Sequence, residues 1–192
     1  MGAVAVRPFH VDQAVPSTTR LSADERRRAA RIAHPAARAR FVSGRLALRD
    51  LAADVLGLQP DSVAIEGPDH GPPRLAGHPD VGVSIAATRG TGVVAIALAA
   101  RVGVDIEAAD RRALPPATRW CTPAEQAALA AVPSASTRRE LALRLWSAKE
   151  ARYKAGTELA PSGIAEPGSA GALEVSWLPL VPGYVVALAV AE

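Results

Sequence analysis

The chain has 192 residues, long enough for one large domain or two small halves and able to bury a substantial core without metals or disulfides. The single cysteine, Cys121, forms no internal bridge, and the opening "MGAVAVRPFHVDQAV" lacks the features of a signal peptide, so a reducing, cytoplasmic setting is expected. The longest apolar run, residues 92–100, is about half of the roughly 20 residues needed to cross a bilayer, which excludes a membrane-spanning helix. Net charge is only +3, yet six arginines lie between Asp24 and Arg40. Such a patch suits an anionic ligand, an acidic partner or a solvated helix face. With two Phe and two Tyr, no aromatic platform accompanies the arginines, and nucleic acid is not an expected partner.

In chain order, valine- and isoleucine-rich runs predict strands over 3–6, 62–66, 81–86, 92–99, 102–107, 173–178 and 184–190. The last two flank "PLVPG" and read as a hairpin. Three helix starts carry a Ser or Thr followed three residues later by Glu, a reciprocal cap for free backbone N–H groups. They are Ser22 with Glu25, Thr122 with Glu125 and Thr137 with Glu140. The third box is expected to open a helix with Leu141, Leu145 and Ala148 on its apolar face and Gly156 as its stop. Another long helix is predicted over 36–56, ending at Gly57. Pro/Gly-rich stretches at 67–73 and 161–171 read as loops. Helices followed by runs of strands predict an α+β fold, and the element order hints at two similar halves meeting near residue 100.

Two short segments carry the chemistry. In "VGVDIEAADRR" the strand period sends Asp105 and Glu107 to one face, with Val104 and Ile106 on the other. Adjacent acids repel, so a cation belongs between them: a hard oxygen-binding ion such as Mg²⁺, or Arg111 or Arg112. In "LRLWSAKEARYKAG", Trp146, Glu150 and Lys154 stand four apart on one helix face, which also describes an ordinary surface pair. The segment holds Lys149 and Lys154, the only two lysines of the chain.

Taken together, Gly-Val-Asp-Ile-Glu and, some forty residues on, Trp-Ser-Ala-Lys-Glu-Ala-x-x-Lys-Ala resemble the signature of the 4′-phosphopantetheinyl transferases, of the monomeric two-half type that activates polyketide and nonribosomal peptide carrier proteins. The segments "SADERRRAARI", "RFVSGRLALRDLAADVLG", "GPPRL", "VSIAATRG" and "WCTPAEQAAL" fall in matching order. The resemblance implies two α/β halves related by pseudo-twofold symmetry, each a small, mostly antiparallel sheet packed on a long helix. Residues 1–100 would present the coenzyme A phosphate face, and 101–192 the metal and catalytic residues. It also implies transfer of 4′-phosphopantetheine from coenzyme A to a serine of an acyl or peptidyl carrier protein. In that chemistry Asp105, Glu107 and Glu150 hold Mg²⁺, Glu150 or a neighbouring water takes the serine proton, and Lys154 grips the pyrophosphate. Lys149 would face a phosphate or a structural acid. Arg28, Arg40 and Arg45 would meet coenzyme phosphates, or else belong to a solvated basic face.

The chain departs from the pattern at Ala86 and Ala87, where relatives carry Ser-His, and at Pro72, where many carry lysine. Losing one charge-assisted hydrogen bond removes about 1.5–3 kcal/mol, to be made good by Thr88, Arg89 or Arg74. Three readings follow: a transferase with a rebuilt phosphate site; a diverged member that binds carrier proteins or acts on a phosphopantetheine-bearing substrate; or an alanine pair introduced artificially. The four histidines are expected at the surface or in loops, with His70 or His78 able to approach the coenzyme. Cys121 and Trp120 are expected to be packed, and Trp146 to buttress the site.

Overall fold

A computed structural model describes residues 3–12, 14–67, 71–111, 113–156 and 174–191. The 161–171 loop, His70 and Arg112 lie outside them.

The fold is α+β, built from small antiparallel sheets and helices. In the first sheet β1 (Val4–His10), β5 (Thr91–Leu98) and β4 (Val81–Ala87) lie in that order, all antiparallel. β1 runs through Pro8, beyond the expected 3–6. It is an edge strand, where a proline's missing N–H breaks no ladder bond. On this sheet packs α2 (Pro35–Leu56), with Leu48 and Leu51 against Val83, Val94 and Ile96. Helix α1 (Ala23–Arg31) starts on the expected Ser22–Glu25 box and lies beside α2. A buried Arg49–Glu25 ion pair of 2.8 Å ties the two together. The predicted 62–66 strand is shorter: Pro60–Ser62 is a helical turn, and only Ile65–Glu66 (β2) pairs, with Arg74–Leu75 (β3).

After β5 the chain reverses at Ala99, whose φ of 54° is left-handed, and enters β6 (Arg101–Ala108). β6 belongs to a second antiparallel sheet ordered β6, β8 (Tyr184–Ala191), β7 (Val175–Trp177); β7 and β8 form the expected hairpin. The sheets abut along β4 and β6. Val81 bridges Ala100 in the parallel sense, and the buried Ser84 hydroxyl accepts the Val104 N–H at 3.1 Å. A Cβ on Gly82 would run into the Ala100 carbonyl, so the approach requires glycine. Val104 and Ile106 face Val93 and Ala95 of the first sheet, leaving the other face of β6 for a helix.

That helix is α4 (Ala135–Lys154). It begins three residues before the expected box, because the Ser134 hydroxyl accepts the Thr137 N–H and takes the cap position; Glu140 instead pairs with Arg144 one turn on. Of the predicted apolar face, Ala148 is buried. Leu141 is 44% exposed, and the buried row is Leu143, Ser147 and Ala151. Small residues line the contact because α4 lies close to the sheet: Ala151 and Ala155 pack on Ala187 and Ala189. At Gly103 a Cβ would overlap the Ala151 carbonyl oxygen and stand 2.5 Å from the Ala155 nitrogen. Helix α3 (Pro123–Ala130) starts on the expected Thr122–Glu125 box and packs beside α4.

Candidate functional site

Close packing of α4 on β6 brings the two sequence segments together. Asp105, 6% exposed, accepts from the Ser147 hydroxyl at 2.9 Å through Oδ2 and from the Lys154 ammonium at 2.7 Å through Oδ1. Two positions along the strand, Glu107 Oε1 accepts the Trp146 indole N–H at 3.1 Å and pairs with Arg111. The Arg111 guanidinium lies 5.6 Å from the Trp146 ring centroid.

Glu150 completes the group. It is half-buried, and no hydrogen bond or ion pair is found for it among the described residues. Burial raises its pKa above the ordinary glutamate value; Lys154 opposes this, Asp105 adds to it, and Arg111 opposes it. Glu107 is likewise raised, first by burial and then by Asp105, against Arg111, the Trp146 hydrogen bond and Lys154. Asp105, Arg111 and Lys154 thus all act on both Glu107 and Glu150.

Asp105, Glu107 and Glu150 offer the donor type that a hard cation takes. These are oxygen atoms alone; burial is the main reason that Glu107 and Glu150 are raised, and Asp105 adds to it in both. Among the described residues no three His, Cys, Asp or Glu stand in a metal-holding arrangement. Lys154 and Ser147 engage Asp105, and Arg111 and Trp146 engage Glu107, so side chains supply the compensating charge.

The second lysine has another role. Lys149 is 2% exposed, and its ammonium donates to the Trp120 carbonyl at 2.9 Å and to Glu125 Oε2 at 2.6 Å. Of the two destinations left open by the sequence, it takes the structural acid. Trp120 and Cys121 are buried as expected.

Arg28 and Arg45 flank the Phe41 ring, at 5.0 and 5.3 Å from its centroid. They line a cavity of about 740 Å³ with Glu25 and Ile65. Burial holds the Arg45 pKa down to about 10, with Glu25 opposing and Arg28 and Arg49 adding. Arg40, half-buried on α2, does not line this cavity. These arginines belong to the helices of the first sheet; the charges acting on Glu107 and Glu150 are Asp105, Arg111 and Lys154. A second cavity, about 860 Å³, is lined by Lys154, Arg101, Arg74 and His78, and Glu66 lines both. The two cavities therefore flank the β2–β3 ribbon.

β4 runs beside β6 in the same direction, joined to it at Val81–Ala100 and Ser84–Val104, and Ala86 and Ala87 end β4. Ala86 is packed against the core and Ala87 is half-buried. At the next turn the Arg89 carbonyl accepts from the Tyr184 hydroxyl at 3.1 Å, tying the tip to the second sheet.

Sequence reasoning did not single out Ser147. The signal was present, since Ser147, Glu150 and Lys154 stand at i, i+3 and i+7.

Fold and site define an α+β protein whose sheet-to-helix seam carries a cluster of carboxylate, hydroxyl and ammonium groups. Residues 101–175, which carry Asp105, Glu107, Glu150 and Lys154, match the family model of the 4′-phosphopantetheinyl transferase superfamily. Its members transfer phosphopantetheine, using coenzyme A and carrier proteins. No curated protein matches the chain. No helix among the described residues is long and apolar enough to cross a membrane.

Proposed function

We propose that the chain is a Mg²⁺-dependent transferase that moves 4′-phosphopantetheine from coenzyme A to a serine of an acyl or peptidyl carrier protein of polyketide or nonribosomal peptide synthesis. In this reading it acts as a cytoplasmic monomer. The observation that carries the proposal is the junction at Asp105, where Ser147 and Lys154, 42 and 49 residues away in sequence, meet one buried carboxylate. Residues 1–100 and 101–192 are taken as two pseudo-twofold halves, each a helix on a three-stranded sheet.

The serine hydroxyl attacks the β-phosphorus of coenzyme A. A new P–O bond forms as the bond to 3′,5′-ADP breaks. Asp105, Glu107 and Glu150 would hold Mg²⁺, which when bound supplies positive charge to the diphosphate oxygens. Glu150 has a raised proton affinity and no competing hydrogen bond among the described residues, which suits it to take the serine proton. Lys154 lines the larger cavity and can turn from Asp105 to the diphosphate, steadying the leaving oxygen. Arg74 and His78 line that same cavity, while Arg28 lines the cavity across Glu66, and these side chains would receive the nucleotide phosphates; Arg40 is assigned to the same face.

Ala86 and Ala87 favour a second reading, a diverged member that binds carrier proteins or acts on a phosphopantetheine-bearing substrate. The test is to incubate the protein with apo carrier protein, coenzyme A and Mg²⁺ and weigh the intact carrier. A phosphopantetheine adduct supports transfer; its absence, with a related transferase succeeding in parallel, favours the second reading.

A further inference from the structure

We propose that Lys149 is a positioning residue for the acid site, acting on Glu107 through Trp120 and Trp146. The proposal rests on the transfer reading for its kinetic consequence, but not for the coupling itself.

Lys149 is among the largest fully buried side chains of the protein. A buried ion pair is a poor source of stability, because well-packed apolar residues serve as well; what it can add is fixed geometry. Here the geometry leads to the site. The Lys149 ammonium holds two points, the Trp120 carbonyl just before α3 and the Glu125 carboxylate in its first turn. Glu125 Oε2 also accepts the Thr122 N–H at 2.7 Å, so the lysine and the helix cap share one oxygen. Glu125 Oε1 is buried with no hydrogen-bond partner among the described residues, and the Lys149 ammonium on Oε2 supplies charge that makes the burial tolerable.

Trp120 is thereby fixed at its carbonyl by Lys149 and at its indole by a 3.0 Å bond to the Pro115 carbonyl. Its ring meets that of Trp146 edge-on, with centroids 5.3 Å apart and planes at 90°. Trp146 in turn donates to Glu107 Oε1. An edge-on aromatic contact is directional, so displacing Trp120 changes where the Trp146 N–H points. Lys149 does not touch Asp105, Glu107 or Glu150 in this chain of contacts; it sets the wall that orients one of them.

The test uses Lys149→Met, Glu125→Gln and the double variant. The double variant removes both charges, so no unpaired buried ion remains, while the glutamine carbonyl still accepts at the cap. The indole N–H resonances of the three tryptophans, assigned with single Trp→Phe variants, report the Trp146–Glu107 bond without any substrate. Transfer kinetics with coenzyme A, Mg²⁺ and apo carrier protein are measured alongside.

In the double variant the Trp146 resonance is expected to move even where the melting temperature stays near that of wild type. Its kcat should fall on the order of tenfold to a hundredfold, with the KM for coenzyme A within about twofold. A wild-type Trp146 resonance in a folded double variant overturns the proposal whatever the kinetics show, and so does an unchanged kcat. Should Lys149→Met alone fail to fold, the double variant carries the test. If wild-type protein transfers nothing, the transfer reading fails, and the resonance still decides whether Lys149 governs the Trp146–Glu107 contact.

Discussion

Gly103→Ala adds one methyl group at the point where α4 rests on β6. The new Cβ would overlap the Ala151 carbonyl oxygen and lie 2.5 Å from the Ala155 nitrogen, whereas real Cβ contacts essentially never fall under 3.0 Å. Both atoms are helix backbone and cannot rotate away, so α4 must retreat by roughly 1 Å, with an overpacking cost of about 1–3 kcal/mol. A retreat of that size takes the Ser147 hydroxyl, now 2.9 Å from Asp105, beyond hydrogen-bonding distance. Serine is too short to follow, while Lys154 can extend. Chemical denaturation should therefore show the loss of stability, and transfer should slow by about a hundredfold, the usual consequence of a 1 Å misplacement. Stability within about 0.5 kcal/mol of wild type together with full turnover would refute the claim that this glycine sets the helix-to-strand distance.

Ser84→Ala leaves the Val104 N–H without its partner between the two sheets and should cost about 1–3 kcal/mol in urea denaturation, with the coenzyme KM little changed. Glu150→Gln should nearly abolish transfer while the protein stays folded; full activity would remove the residue from both metal and proton roles. Without added metal the same variant should be more stable than wild type at neutral pH. The folded-state pKa of Glu150 is raised, so its ionisation costs stability above that pKa, and the difference should vanish as pH falls below the ordinary glutamate value. An advantage that grows on acidification would contradict this sign. Ala87→His, at the end of β4, should lower the coenzyme A KM far more than it raises kcat; unchanged affinity would place that position away from the phosphates.

The acid pair was legible because a strand has a period of two: Asp105 and Glu107 had to share a face once Val104 and Ile106 were seen to be core. The α1 and α3 starts were legible because capping is local chemistry. The α4 start was misplaced for the same reason, since Ser134 and Thr137 both offer a cap and only the fold decides between them. Pro8 concealed the length of β1 because a sequence does not say which strand lies at an edge. Residues whose role depends on how closely two elements approach were the hardest to read. Gly103 and Ser147 matter because α4 lies against β6, and Lys149 because α3 folds back on α4. Lysine scarcity marked the right helix, but only the packing separated a lysine that serves a carboxylate wall from one that lines the cleft.

The proposed role of the carboxylates of β6 and α4 is to act through a divalent ion on a diphosphate. Its most direct test is the rate of 3′,5′-ADP release from coenzyme A in the presence of apo carrier protein as Mg²⁺ is titrated, in wild type and in Asp105→Asn. The account predicts a saturable dependence in wild type, no release with the ion chelated, and a dependence displaced to much higher Mg²⁺ in the variant. Release at full rate under chelation, or an identical titration in Asp105→Asn, would contradict it.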